Sequence, residues 1–369
     1  GFRELEELDL YRSQLSNAGL AKLEALPKLR HLDLRYSRVT RAGVDRFTKA
    51  HPRCLVEFMD TSGLTVAAGL RQSKPASPDA RAVAAWVKQL GGSAHFSGAR
   101  LARIELSRTP VTDAQLAHLP ALDELRLDST EIASLDRLPA VKRLNLSHTS
   151  VSLKELSKLP NGLEALDLAN LPLGDGLVPL LPATLRELRL AYSDITSAGV
   201  KSLAQRLPGL EALDLTSTDI DDAAVTALGQ LSKLTDLRLS YGRYTDKSLA
   251  ALANLKALKR LEMVRTRVTD NGLKHLSGLT QLETLWLDYT TVSDKGLPLL
   301  PPGLRELRLD TANISDAGVE TLKSFRGLKL LNLYHTTVTE AASDALKKAL
   351  PECRIIYDRE SSLPTRRKS

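Results

Sequence analysis

One segment recurs along the whole chain. The pattern LxxLxLxx(T/S)x(V/I)(T/S)DxGLxxLxxLxx places its second apolar position at Leu8, Leu32, Ile104, Leu125, Leu144, Leu166, Leu188, Leu213, Leu237, Leu261, Leu285, Leu307 and Leu331 of 369 residues. Within uninterrupted runs the spacing is 19 to 25 residues, most often 24. A unit of that size cannot bury its own apolar face, so it must stack on its neighbours. Composition fits this: 74 leucines stand against 15 aromatic residues, and a core of small identical layers does not need large rings. No apolar run approaches the roughly 20 residues that a membrane-spanning helix requires. A charged fraction of 26% with so much leucine excludes a disordered chain.

Each unit reads as strand, loop and short helix. LxxLxL alternates with period two, as in a strand with one buried face. The hydroxyl residues Thr109, Thr130, Thr149, Thr218, Thr266, Thr290 and Thr336 are expected to turn the chain inward and satisfy buried loop groups as a stacked ladder. The pairs Thr112-Asp113, Thr245-Asp246, Thr269-Asp270, Ser293-Asp294 and Ser315-Asp316 read as N-cap plus a carboxylate at the positive end of the helix dipole. Leu273, Leu276 and Leu279 carry the helical spacing, and Pro120, Pro139, Pro208 and Gly278 read as helix stops.

These motifs resemble the leucine-rich repeat family, in its helix-containing ribonuclease-inhibitor-like and F-box-associated subtype, and are similar to arrays of bacterial, planctomycete type. The resemblance covers about 300 residues of the chain. It implies an α/β solenoid: a horseshoe with a parallel concave sheet and convex helices, arranged here as two consecutive arrays. In that family the position held here by Thr or Ser is often Cys or Asn. Such folds host many binding roles, so the resemblance speaks to architecture more than to function.

The repeats break between residues 60 and 100. Val56 and Ile355 each lie 24 residues beyond the preceding strand centre with no helix after them, so both read as capping strands, with Cys54 and Cys353 as structural apolar residues. The expected organisation is residues 1–60 as the end of a first array, 61–78 as linker, and 79–100 as a helix-plus-strand cap of a second array. Residues 101–357 are that array, of 11 repeats and a capping strand, and 358–369 a basic flexible tail. The WVxxxGG sequence from Trp86 to Gly92 resembles the N-terminal cap of the bacterial arrays, which implies that Trp86 and Phe96 cover the first repeat. One continuous solenoid with an insertion is the alternative. The chain starts at Gly1, already inside a repeat, which reads as a fragment of something longer.

Residues between and after the strand leucines face outward. Flanking each strand centre, they form a checkerboard of opposite charges, as in Glu124/Arg126, Glu187/Arg189 and Arg260/Glu262. Such pairs stabilise a sheet by about 0.2–1 kcal/mol each. A second signal is aromatic. Tyr11, Tyr36, Tyr192, Tyr241, Tyr289 and Tyr334 follow the strands and Trp286 lies within one, so the outward columns hold 7 of the 15 aromatics. Tyr, Trp and Arg are the residues enriched at binding hot spots. The candidate partner-binding residues are therefore Tyr192, Arg238, Tyr241, Arg265, Trp286, Tyr289, Tyr334 and His335. The competing reading is that these rings only shield neighbouring strands.

No catalytic constellation assembles. HExxH, CxxC, GxSxG and Walker-type GK(S/T) are absent, and Gly174-x-Gly176 lacks a third glycine. The two cysteines define neither a disulfide framework nor a zinc pattern. The net charge of +7 is diffuse apart from Arg366-Arg367-Lys368, so no basic stripe calls for nucleic acid. The expectation is a monomeric, non-catalytic protein–protein interaction scaffold with a protein partner, no cofactor, no metal, no nucleic acid and no membrane insertion. The compartment stays open, with the cytoplasm slightly favoured. Alternatives are a sensing or substrate-recruiting arm of a larger bacterial protein (a kinase or F-box-like effector) and a carbohydrate or cell-surface binder.

Overall fold

The computed structural model describes residues 5–10, 13, 15–35, 37, 39, 41–58 and 69–358. Tyr11, Tyr36, residues 59–60 of the expected first array, residues 61–68 of the expected linker and residues 359–369 of the tail lie outside them. Every expected strand centre falls in a strand, and neighbouring strands pair in parallel with centre opposite centre: Leu213 with Leu237, Leu237 with Leu261, Leu261 with Leu285. Two sheets result. A three-stranded sheet is centred on Leu8, Leu32 and Val56, and a 13-stranded sheet runs from Ser93–Ser97 to Arg354–Ile356. Strands are present at Leu55–Glu57 and Arg354–Ile356, the last of their respective sheets. The strand leucines face a continuous apolar layer under the long sheet, with Leu237, Leu261, Leu285 and Leu307 fully buried.

Unit length decides what crosses the back. Units of 24 or 25 residues carry α-helices, such as Ser197–Arg206, Asp222–Leu228, Asp246–Leu252 and Asp316–Leu322. The units of 21 and 22 residues instead carry 3-10 turns, Asp113–His118, Leu153–Lys158, Asp175–Leu180 and Leu297–Leu299. A 3-10 turn rises about 2.0 Å per residue against 1.5 Å for an α-helix, so fewer residues span the same layer. The expectation of a short α-helix in every unit fails for this reason. The shortest unit, between Leu125 and Leu144, has no helix at all. Ser293 accordingly caps only a turn, accepting from the Lys295 N–H at 3.3 Å.

The Thr column behaves differently from the expected ladder. Each hydroxyl donates to the carbonyl three residues before it in its own unit: Thr109 to Leu106, Thr218 to Leu215, Thr266 to Met263, Thr290 to Leu287, all at 2.6–2.9 Å. It closes the turn locally, and the backbone makes the ladder between units.

What joins the units on the helix side is the aspartate. Asp246 accepts from both the N–H and the hydroxyl of Thr269 in the next unit, at 2.8 and 2.6 Å. The same fork links Asp175 to Thr196, Asp222 to Thr245, Asp270 to Ser293, Asp294 to Ser315 and Asp316 to Thr339. Between Ser197 and Asp221 the partners are exchanged: the serine takes the aspartate's place and the aspartate caps the helix, with the two bonds kept at 2.7 and 2.9 Å. The glycine of the motif now has a cause. A Cβ on Gly272 would sit 2.5 Å from Asp246 Oδ1. Ala224, Ser248 and Ala342 hold that position in three other units that keep the joint, so the glycine eases the fit without being required.

The long sheet is preceded by the helix Ala80–Gln89, capped by Asp79, which accepts from the Arg81 and Ala82 N–H groups at 3.0 Å. Trp86 is buried and donates to Ser73 Oγ at 2.9 Å. Gln115 donates to the Leu70 and Ser73 carbonyls at 2.9 and 2.8 Å, so Leu70–Ser73, within the expected linker, packs on this end of the long sheet. Phe96 does not cover the first repeat as expected. It is 45% exposed, because the strand Ser93–Ser97 runs antiparallel to Arg100–Glu105, with a register shift at His95/Phe96.

Candidate functional site

The rim of the long sheet is set by one backbone event per unit. Four residues after each strand centre the chain turns through the left-handed region, at Arg108, Ser129, His148, Asn170, Tyr192, Ser217, Tyr241, Arg265, Tyr289, Thr311 and His335. That conformation costs a non-glycine residue about 1–2 kcal/mol, and asparagine tolerates it best. Asn170 is the single asparagine in the row, while tyrosine, arginine and histidine hold most of the expected binding positions, with φ of 52–65°. The turns are tied together by the backbone: Tyr241 N donates to Val264 O at 2.8 Å, Arg265 N to Asp288 O at 2.8 Å, and Tyr289 N to Asp310 O at 2.7 Å. The row is therefore a rigid edge along which side chains project.

Three of the expected residues occupy consecutive rim positions. Tyr241 and Tyr289 are 47% and 44% exposed, and Arg265 between them lies with its guanidinium 5.3 Å from the Tyr289 ring centroid. Tyr192 and His335 are rim residues two units away on either side, and Tyr192 is only half-buried. Tyr334 sits just inside His335, with ring centroids 3.9 Å apart, and His335 Nδ1 lies 3.2 Å from Asp310 Oδ1.

Arg238 and Trp286 belong to the inner lattice. Arg238 pairs with Asp236 at 3.1 Å and Glu262 at 3.7 Å. Trp286 donates to Glu306 Oε1 at 2.8 Å, and guanidiniums from both neighbouring strands, Arg308 and Arg260, lie over its ring at 4.3 and 5.8 Å. The lattice is partly desolvated. Burial pushes the Glu262 carboxyl up despite Arg238 and Arg260, and pushes Asp288 up despite the Asp310 N–H and Arg308. The checkerboard read from sequence is thus mostly consumed internally. Arg238 and Trp286 are half-buried within this lattice, behind the rim.

Two features were missed. A depression of about 250 Å³ lies over Ala165, flanked by Arg126, Asp167 and Arg189 and spanned by a bidentate Arg143–Glu187 pair at 2.9 and 2.8 Å. The signal was there in Ala165, a small residue in an outward column where the neighbouring units carry Arg143 and Glu187. The second is Tyr244, fully buried, whose hydroxyl donates to Leu239 O at 3.1 Å. It replaces the column threonine, which in this unit is Gly242. A Cβ there would lie 2.7 Å from the Tyr244 ring.

Among the described residues no group of three or more His, Cys, Asp or Glu could hold a metal ion, and no helix is long and apolar enough to cross a membrane. Burial raises both Cys54 and Cys353 above the usual thiol range, which keeps them protonated and poorly nucleophilic.

Stacked units, parallel strands in unbroken register and an outward face of side chains define a repeat solenoid. The chain is a leucine-rich repeat solenoid: residues 182–204 and 208–229 match the family model described as "Leucine Rich repeat". The structure is similar to an internalin, InlF, of Listeria monocytogenes, with 18% identity and a TM-score of 0.53 over 80% of this chain and 98% of that one. At that identity the likeness concerns the fold alone. No curated protein matches the sequence.

Proposed function

We propose that the chain is a non-catalytic scaffold that binds a protein partner along the rim of its long sheet, centred on Tyr241, Arg265 and Tyr289. The observation that carries this is the placement of large, exposed side chains in a left-handed turn. A turn selected only for stability would hold asparagine or glycine, and strain kept at adjacent positions points to use. Tyr192, Tyr334 and His335 extend the contact, and Arg238 and Trp286 hold the sheet behind it. This reading takes the long sheet with its caps as one array and the three-stranded sheet as the end of another. A sugar-binding role is less well supported, because guanidiniums already lie over the Trp286 ring.

The test is affinity capture with mass spectrometry, comparing the native chain with a Tyr241→Ala, Arg265→Ala, Tyr289→Ala triple variant. The expected result is loss of a specific protein from the variant with an unchanged melting temperature. Equal capture by both proteins refutes the proposal, as does unfolding of the variant.

A further inference from the structure

We infer that the partner segment seated on the rim carries a carboxylate side chain that pairs with Arg265, flanked by bulky apolar residues that pack on Tyr241 and Tyr289. This rests on the proposed rim site and adds the chemistry of its ligand.

The argument comes from how arginines are used on the outward face. Arg103 pairs with Glu105, Arg126 with Asp128, Arg143 with Glu187, Arg189 with Asp167, Arg238 with Asp236, Arg260 with Glu262 and Arg308 with Asp288. Arg265 makes no ion pair with any described residue. It is exposed, and its guanidinium lies over the Tyr289 ring. Arg108, at the far end of the same rim row, likewise makes no ion pair, but its neighbour in the row is Ser129 rather than an aromatic residue. Among the described rim residues, Arg265 is the arginine without an ion pair whose two neighbours in the row, Tyr241 and Tyr289, are exposed aromatic residues.

That setting favours an anion. An arriving carboxylate gains two charge-assisted hydrogen bonds from the planar guanidinium fork, and a peptide segment covering the Tyr241 and Tyr289 rings would exclude water from that pair. A cationic segment would meet like charge and a Tyr289 ring already serving Arg265. The dimensions suit an extended peptide. Successive rim positions are about 4.8 Å apart, so Tyr241 to Tyr289 spans about 10 Å, or three residues at about 3.3 Å each. A carboxylate at the centre with apolar side chains one or two residues away on each side matches that interval. The backbone bonds that fix Tyr241, Arg265 and Tyr289 mean that little ordering is required of the scaffold on binding.

The probe is a display library of random 12-residue peptides selected on the full chain. Clones are then measured against Arg265→Ala, Arg265→Glu and the pair Tyr241→Ala, Tyr289→Ala, with melting curves for each variant. The expected outcome is enrichment of Asp or Glu with a bulky apolar residue within two positions, and a loss of affinity of at least about tenfold with Arg265→Ala at unchanged melting temperature. Selection on Arg265→Glu should return Lys or Arg at the same place. Peptides that need both tyrosines but are indifferent to Arg265, or that show no acidic enrichment, overturn the carboxylate while leaving the rim site standing. Peptides indifferent to the tyrosines, or a selection with no rim-dependent clone, overturn both.

Discussion

Replacing Asp246 with alanine separates two accounts of the motif aspartate. If it acts only on the dipole of its own short helix, its loss costs about 0.3–1 kcal/mol. The structure gives it a second task, accepting two hydrogen bonds from Thr269 at 2.8 and 2.6 Å. A bond to a charged acceptor contributes about 1.5–3 kcal/mol. Both groups are only partly buried, so water replaces part of each, and we expect Asp246→Ala to cost about 2–4 kcal/mol. Thr269 also caps its own helix, accepting from Asn271 N at 3.2 Å, so a single Thr269→Val variant mixes two effects. The double-mutant cycle removes the ambiguity. The pair should couple by at least about 1 kcal/mol, read from urea unfolding of the full chain by circular dichroism. Hydrogen exchange at the Thr269 amide should accelerate in Asp246→Ala. Additive single-variant costs, or a total below 1 kcal/mol, would refute the inter-unit role and return the aspartate to the dipole.

Three further outcomes are expected. Gly242→Thr and Tyr244→Val should each destabilise the chain by about 1–3 kcal/mol, the first by clash and the second by a lost hydroxyl and ring, whereas the double variant restores the common pattern and should lie within about 1 kcal/mol of native; thermal denaturation of all three checks this. Tyr241→Asn should leave stability unchanged or raise it by up to about 1 kcal/mol, because asparagine suits the left-handed turn; a loss greater than that would make the ring a cover for the sheet. Arg143 chiefly, through its hydrogen bond, holds the Glu187 carboxyl below its usual range, so the pair stabilises the fold above the unfolded carboxylate pKa and loses this as pH falls through the folded value. Glu187→Gln should therefore be less stable at pH 7 by about 0.2–1 kcal/mol and match the native chain at pH 3; a gap that persists at pH 3 would mean that shape rather than charge is involved.

Strand positions were legible because a buried leucine every second residue has one structural solution, and the repeat fixed the register as well. Helix type was less so: the pattern is the same in long and short units, and only the residue count between Leu144 and Leu166, or Leu285 and Leu307, reveals that a 3-10 turn must replace an α-helix. The second role of the aspartate was not legible because its partner lies about 23 residues away, where a local rule on helix dipoles offers a sufficient explanation. Tyr244 was passed over because tyrosine in a Val/Ile column looks like a variant, and its meaning depends on Gly242 two residues earlier. The rim residues were found by composition, yet which of them stand free could not be read from sequence. Arg238, Arg265 and Trp286 look alike until their neighbours are known.

The aspartate fork has a consequence for how such a chain can be edited. Residues 246–269 begin with the acceptor of one joint and end with its donor. Excising them brings Thr245 directly before Asp270, so the joint from Asp222 to Thr245 and that from Asp270 to Ser293 both survive. The shortened solenoid should close without a scar, lacking Arg265 and with Tyr241 now adjacent to Tyr289 along the rim. In this half of the molecule a whole unit is thus a removable part, and the surface can gain or lose one letter at a time by recombination. The units between Leu101 and Leu173 lack the fork and offer no such seam.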